Sequence, residues 1–285
     1  MTIENWQKDY QSDIQIGSDT NSSLAKQIGL VGENRSVLEF GCATGYFSRM
    51  LSEKGCHIVG VEINSDAAKQ AQKYCDEIIV ADLDFTPLSE ILPQRTFDVA
   101  IFGDVLEHLR DPWQVLESVR NHLNPGGFIV ASIPNIAHGA VRLSLLQGNF
   151  NYQQYGILDN THIRFFTKSS IIEMFDKAGY FLDAIDRTKV PVLADRDDLL
   201  PSFDKNMVSP ELIKQIELDE ESDTVQFIVR AYPQSDRDRY AALLNRFTEL
   251  KTKNNELVET LDKTITEKRL ITNSSWWRLR RIFSR

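Results

Sequence analysis

Residues Val37 to Gly45 read Val-Leu-Glu-Phe-Gly-Cys-Ala-Thr-Gly, and few local patterns restrict a chain so strongly. An apolar run leads into an acid, then two glycines four apart, then the amphipathic run Tyr46, Phe47, Met50 and Leu51. This order predicts a buried strand, a tight glycine turn and a helix start. A turn without side chains lets a ligand approach the backbone closely, and the helix N-terminus beside it carries partial positive charge.

The spacing narrows the ligand. A dinucleotide turn uses G-x-G-x-x-G, and a P-loop needs Gly-Lys-Ser/Thr. Here Ala43 stands where a middle glycine would be, and no lysine follows Gly45. The turn offers the carboxylate of Glu39, which suits a cationic ligand bearing an amino group. In these residues the chain resembles the class I S-adenosylmethionine-dependent methyltransferases, whose first motif is an acid-x-G-x-x-x-G turn. The resemblance implies S-adenosylmethionine as cofactor, with Glu39, Gly41, Cys42 and Gly45 around it. The plainer reading is a generic glycine turn of an α/β domain.

Further strand ends repeat the pattern. Ile58, Val59 and Val61 lead to Glu62 and Ile63, with Glu62 placed 21 residues after Gly41. An acid there can accept both ribose hydroxyls. Residues 77–81 end in Asp82-Leu83, where the resemblance puts an acid facing the adenine amine. Residues 97–102 end in Gly103-Asp104, and a fifth run, Gly127 to Ile133, follows the turn Asn124-Pro125-Gly126. Polar residues at regularly spaced strand ends are what a crevice at the carboxyl edge of a parallel sheet requires. The predicted fold is α/β: a doubly wound, seven-stranded, mostly parallel sheet of the Rossmann-like methyltransferase type, followed by a C-terminal coiled-coil helix. The cofactor set expected on it is Glu39, Gly41, Cys42, Gly45, Glu62, Ile63, Asp82, Leu83, Gly103 and Asp104.

With 285 residues there is room for one large domain and an appendage. No stretch is long and apolar enough to span a membrane, and residues 1–5 lack the apolar core of a signal peptide. Cys42, Cys56 and Cys75 show no metal spacing and fit free thiols in a reducing cytoplasm. The net charge of −9 is uneven. From Ser235 onward 12 Lys/Arg face 7 Asp/Glu, a net of +5, which leaves −14 on the rest. So acidic a body is a poor partner for nucleic acid.

The organisation read from the pattern is an N-terminal helical segment over 1–35, with a helix near Ser22–Ile28. A catalytic domain follows over 36–233. Within it, Asp111-Pro112 opens one helix, and Lys168–Ala178 forms another, closed by Gly179. Tyr180–Thr188 and Thr224–Tyr232 are the last two strands, which the resemblance makes antiparallel. The stretch 189–222 is longer than a hairpin needs and reads as an insertion or lid.

Chemistry is expected where the fourth strand ends. Asp104, Glu107 and His108 stand at i, i+3 and i+4, one face of a helix if the segment turns as one. His162 follows within Leu158–Thr167. Methyl transfer from a sulfonium to oxygen is an in-line displacement that needs alignment, a dry pocket and a deprotonated nucleophile. The catalytic candidates are His108, Glu107 and His162, with a neutral imidazole as proton acceptor. Alternatively Asp104, Glu107, His108 and His162 hold Mg²⁺ or another divalent ion that lowers the pKa of a bound hydroxyl. The acid-x-x-Glu-His pattern resembles the metal-assisted O-methyltransferases of ubiquinone synthesis and of small-RNA 3′ ends, which often place Glu where Asp104 stands. The bland reading is a helix cap and a hydrogen-bonded core histidine. His57, His122 and His138 lie outside the set, although His138 follows the fifth strand.

Ser132–His138 and Asp159–Thr167 resemble a bacterial branch of methyltransferases linked to cell-surface glycan synthesis. That resemblance implies a glycan or glycolipid acceptor, polysaccharide biosynthesis and the cytoplasmic face of the membrane. A soluble phenol- or quinone-type small molecule is the alternative acceptor, and a non-catalytic scaffold the alternative class. Arg142 and Arg164 either meet an anionic acceptor group or pack their stems. Leu243, Phe247, Leu250, Asn254, Leu257, Leu261, Thr264, Lys268 and Ile271 step by 4 and 3, a coiled-coil seam over 234–272 that predicts a homodimer, with a single helix packed on its own domain as the alternative. The basic aromatic tail 273–285, with Trp276, Trp277 and its arginines, suits peripheral contact with an anionic membrane or a docking partner.

Overall fold

The protein is described by a computed structural model over residues 21–195 and 199–273. Residues 1–20 of the N-terminal segment and the tail residues Trp276, Trp277 and their arginines lie outside the described residues. The chain divides into two compact units at Asp238/Arg239.

The first unit alternates strand and helix. Helix α1 (Ser23–Val31) starts on the Ser22 side chain, which accepts from Ala25 N, and buries Leu24, Gln27, Ile28 and Val31. Strand β1 (Ser36–Phe40) leads through the glycine turn to α2 (Tyr46–Ser52). Then come β2 (His57–Glu62), α3 (Ser65–Ala71), β3 (Glu77–Val80), α4 (Leu88–Ile91) and β4 (Phe97–Gly103). After β4 a single 3₁₀ turn, Leu106–His108, precedes α5 (Pro112–Val119), capped by Asp111 with Pro112 in its first turn. Next are β5 (Leu123–Pro134), α6 (Gly139–Leu146) and α7 (Lys168–Lys177), the last begun by a Thr167–Ser170 capping box and followed by Gly179 at φ 79°. Strand β6 (Tyr180–Lys189), α8 (Pro210–Glu217) and β7 (Thr224–Pro233) complete the unit.

The sheet order is β3-β2-β1-β4-β5-β7-β6. Strands β1 to β5 run parallel, and β7 is antiparallel to both β5 and β6. The order reverses between β1 and β4, so the crevice above that point is the ligand position of a doubly wound sheet. Covered on both faces, the central strands are buried nearly throughout: Val37, Leu38 and Phe40 in β1, and Val99 to Phe102 in β4. Phe40 and Phe102 stack at 4.5 Å across that pair. The turn read at Asn124–Gly126 lies inside β5 instead, as an irregularity of its pairing with β4 between Phe97 and Val99.

Described residues of 189–222 pack on α6 and on Ile157 and Leu158. Their 3₁₀ turn Lys205–Met207 and α8 bring Val192, Val208 and Ile216 onto Leu143 of α6. Leu200, with Leu199 and Phe203, packs on Ile157 and Leu158. The second unit continues helix α9 (Asp236–Asn273), on which Leu243, Phe247, Leu250, Leu257 and Leu261 are exposed.

Two glycines give opposite expectations. Gly45 has φ +82°, and a Cβ there would stand 2.8 Å from the Ala71 backbone. Gly45→Ala should destabilise by about 2–4 kcal/mol, from left-handed strain and overpacking together. Gly29 lies within α1 with open space around it, so Gly29→Ala should stabilise by about 0.5–1 kcal/mol. Denaturant unfolding of the two variants beside wild type checks both signs.

Candidate functional site

The carboxyl edge of the sheet carries two adjoining groups of side chains. The first surrounds the glycine turn. Gly41 (φ +66°), Ala43 (φ 47°) and Gly45 all adopt left-handed backbone, which folds the turn tightly beneath the start of α2. A Cβ on Gly41 would meet Val105 at 2.7 Å. Glu62 ties this turn to the end of β2: one carboxylate oxygen accepts from Ala43 N at 2.9 Å, the other from Asn64 N at 2.8 Å. Each oxygen keeps a second lone pair for a hydroxyl donor. Ile63 beside it is 46% exposed, a large apolar surface for a flat ring. Asp82 accepts from Asp84 N at 2.9 Å, half-buried beside Leu83, at the end of β3.

Glu39 is buried and accepts from Ser48 Oγ at 2.7 Å. Burial pushes its carboxyl up to about 8 against that hydrogen bond, with Cys75 and Glu62 adding to the rise. The Cys42 side chain turns toward β2: its sulfur sits 2.8 Å from where a Gly60 Cβ would stand, and it pairs with Cys75. The thiol thus fills the floor, and what Cys42 offers to the turn is its backbone.

The second group lies at the end of β4. Asp104 has φ 55°, and its Oδ1 accepts from Ser132 Oγ at 2.7 Å and Gln226 Nε2 at 2.8 Å. Burial raises its pKa against those bonds. With a left-handed residue followed by a 3₁₀ turn, Asp104, Glu107 and His108 do not share a helical face. Glu107, His108 and His162 do converge, each offering a ligand atom, all within 4.8 Å of one another. Asp104 stays with Ser132 and Gln226, outside that trio.

Main-chain hydrogen bonds bring His162 there. The Glu107 carbonyl accepts from Ile163 N and Arg164 N, both at 3.0 Å. His108 Nδ1 donates to the Thr161 carbonyl at 3.1 Å, and His162 Nδ1 to the Ile157 carbonyl at 3.1 Å. A carbonyl can only accept, so both rings carry the proton on Nδ1 and the lone pair on Nε2. The rings meet edge to face at 4.8 Å, and His162 Nε2 is 3.9 Å from Glu107 Oε1. Glu107 is 1% exposed, and neither of its oxygens has a hydrogen-bond partner among the described residues. Burial lifts its pKa well above the usual range, helped by Asp104. Burial and the neighbouring His162 hold His108 down to about 4, so it is neutral at pH 7.

Other candidates have structural duties. His138 is fully buried, caps α6 through Ala140 N and donates from Nε2 to the Val190 carbonyl at 2.9 Å. His122 bonds the Arg95 carbonyl, and His57 is exposed. Arg142 pairs with Asp219 at 2.7 Å, and Arg164 lies over the Trp113 ring while bonding the Arg110 carbonyl. Residues not singled out by sequence complete the edge: Ser48 under Glu39, Ser132 and Gln226 on Asp104, and Gln27, whose only sequence signal is a polar residue on the buried face of α1.

A glycine turn after the first strand, acids ending β1, β2 and β3, and this strand order define a class I S-adenosylmethionine-dependent methyltransferase. The methyltransferase-domain family matches residues 18–184, and the chain belongs to it. The chain is similar to the ubiquinone biosynthesis O-methyltransferase of Shewanella halifaxensis, 24% identical over 162 residues that cover 55% of this chain and 69% of that protein. The protein of the same description from Actinobacillus pleuropneumoniae is 26% identical over 132 residues, 44% of this chain and 56% of that one. The chain thus spans between about half and two thirds of these relatives. A SAM-dependent methyltransferase structure from Archaeoglobus fulgidus superposes with a TM-score of 0.52 at 20% identity, over 74% of this chain and 91% of that one, a likeness of fold.

The raised pKa of Glu39 sets a pH dependence. The folded protein holds this proton up to about 8 while the unfolded chain releases it near 4.5. Its contribution to stability is therefore complete below about 4.5 and is lost as pH rises toward 8, at up to about 1.4 kcal/mol per pH unit. Glu39→Gln should gain stability relative to wild type as pH rises from 5 to 8. Chemical unfolding across that range should show the two curves diverging; parallel curves would mean an ordinary Glu39.

Proposed function

We propose that this enzyme transfers the methyl group of S-adenosylmethionine to a hydroxyl oxygen, at a site where Glu107, His108 and His162 would hold a divalent cation. The observation that carries this is Glu107: a buried carboxyl without a hydrogen-bond partner among the described residues, facing two imidazoles whose lone pairs lie on Nε2. One carboxylate and two imidazoles within 4.8 Å of one another suit a divalent ion, and two nitrogen donors favour Mn²⁺ or Zn²⁺ over Mg²⁺. When bound, such an ion polarises a hydroxyl and lowers its pKa. The carbonyls of Thr161 and Ile157 orient the two rings as ligand-orienting groups do. A lone His108 held near 4 is a weak proton acceptor, whereas a neutral imidazole is a ready ligand, which favours the ion over a simple base.

In the cofactor half, Glu62 would accept from the ribose hydroxyls, Ile63 and Leu83 would flank the adenine, and Asp82 would face its amine. The turn Gly41–Gly45 passes under the methionyl portion. On this strand order the methyl donor would lie between β1 and the end of β4, beside the residues that would hold the acceptor.

The acceptor carries a ring. His162 leads through Phe165 at 6.3 Å and Phe150 at 5.7 Å to Tyr152 at 5.5 Å, a run of aromatic faces that becomes exposed at Phe150 and Tyr152. An open aromatic platform favours a glycan or glycolipid hydroxyl, as the resemblance of 132–138 and 159–167 suggests. The phenol or quinone acceptor named for the relatives is the second reading. Self-association through the exposed seam of α9 makes the protein a dimer, and the tail from Ser274 holds it at an anionic membrane face.

Glu107→Gln and His108→Ala should each lower methyl transfer by about 10²-fold or more while S-adenosylhomocysteine binding, read by calorimetry, stays nearly unchanged. Chelator should abolish transfer and Mn²⁺ restore it, and calorimetry should show Mn²⁺ binding lost in Glu107→Gln. Full activity in excess chelator refutes the ion and leaves His108 alone as proton acceptor. Labelled-methyl transfer to lipid-linked glycans and to polyprenyl catechols should favour the glycans.

The tail has its own test. The full chain should sediment as a dimer and bind anionic vesicles at low salt, and a chain ending at Pro233 should be a folded monomer that does neither. A full-length monomer indifferent to vesicles would sink both parts.

A further inference from the structure

Helix α1 contributes a side chain that the cofactor motifs do not include. Asn21, just before it, is bonded in both directions to the main chain of Lys189, at 2.7 and 2.8 Å. Lys189 ends β6, so α1 begins at the carboxyl edge of the sheet. One turn in, Gln27 is 4% exposed among Leu24, Ile28 and Val31. Its Nε2 donates to Ser23 Oγ at 3.2 Å, which directs the amide oxygen the other way. That oxygen is buried and has no hydrogen-bond partner among the described residues. It lies 3.5 Å from where a Cβ on Gly103 would stand, at the last residue of β4.

A buried amide oxygen without a donor is costly, typically by about 1–3 kcal/mol. An amide is retained on an apolar helix face when a donor arrives from elsewhere. The strand order says which donor. Along the edge the acids ending β3 and β2 precede the glycine turn of β1, and β4 comes next. A nucleoside laid across β3 and β2 brings its amino-acid end to β1 and β4, beside Gly103. That end carries an ammonium, which donates, and a carboxylate, which accepts. An amide oxygen selects the ammonium.

We propose that Gln27 is a cofactor-binding residue whose Oε1 accepts a hydrogen bond from the ammonium of the methionyl portion. Being neutral, it accepts without adding a further acid to an edge that already holds Glu39, Glu62 and Asp104. The inference rests on the S-adenosylmethionine reading above and adds a contact from the N-terminal helix to it.

Calorimetry with two ligands tests it: S-adenosylhomocysteine, which has the ammonium, and 5′-methylthioadenosine, which lacks the whole amino-acid portion. Gln27→Leu should weaken S-adenosylhomocysteine about tenfold or more, as loss of a charge-assisted hydrogen bond does. The same variant should change 5′-methylthioadenosine by less than about twofold, because that ligand has no group to meet Oε1. Gln27→Glu, which keeps an acceptor oxygen, should retain S-adenosylhomocysteine. Gln27→Ala carries the same expectation as the leucine variant if the latter fails to fold. Equal losses for both ligands, or none for either, overturn the contact while leaving the cofactor reading intact. A wild-type protein that binds neither ligand overturns the cofactor reading, and this contact with it.

Discussion

Two hydrogen bonds to one carbonyl hold the candidate site of this protein together. Glu107 O accepts from Ile163 N and Arg164 N, joining the turn after β4 to a segment more than fifty residues further on. Without that junction His108 would stand at a strand end and His162 in an unrelated loop. With it, their rings meet at 4.8 Å. The loop is itself braced: Asp159 Oδ1 accepts from Thr161 N at 2.8 Å and Thr161 Oγ1 at 2.6 Å. Behind it, Ile157 N donates to the Leu199 carbonyl, and Leu200 packs on Ile157 and Leu158. Leu199 and Leu200 thus buttress the loop bearing His162. Rigid support of this kind is what the proposed site would need to keep its three candidate ligand atoms in register.

The glycine turn depends on an analogous junction. Glu62 belongs to β2, yet one of its oxygens anchors Ala43 in the turn after β1. A single carboxylate therefore fixes the turn and faces the crevice above it. Left-handed backbone at Gly41, Ala43 and Gly45 follows from the same economy of space, with Val105, Ala71 and Tyr74 close around the turn. The backbone is shaped by contacts from β2, α3 and the turn after β4 together.

The strands were legible in sequence because a parallel sheet buries both faces and writes continuous apolar runs, which end where polar residues take over. The glycine turn was legible because positive φ selects glycine, though Ala43 at φ 47° carries no such mark. The four residues read as a candidate metal set come together only in part, as Glu107, His108 and His162. Spacing of i, i+3 and i+4 implies a shared face on an α-helix, but Asp104 is left-handed and Leu106–His108 is a 3₁₀ turn, so Asp104 points to Ser132 and Gln226. The orientation of Cys42 depends on Gly60 of the neighbouring strand, a contact no local pattern encodes. His138 looked available to the pocket and is instead a cap. Gln27 left a faint trace, one amide in an apolar stripe, and its meaning required knowing that Gly103 lies opposite.

Charge links the two halves of the edge. Glu39, Asp104 and Glu107 are carboxyls whose pKa values are raised chiefly by burial, and Glu107 is raised further by Asp104. A buried carboxyl ionises when a cation lies close and otherwise keeps its proton. Cation binding and proton release are therefore one equilibrium at this edge. In the proposed reading a sulfonium and a divalent ion lie on either side of Asp104, and two positive charges so placed repel one another. Asp104 is adjacent to Gly103 on the cofactor side and interacts electrostatically with Glu107 and His108 on the other. Held by Ser132 and Gln226 apart from the Glu107, His108 and His162 trio, an ionised Asp104 would offset both cations without joining the ion's ligands. In that reading a carboxylate fixed between the two cationic sites would let them be occupied together, as a two-substrate transfer would need.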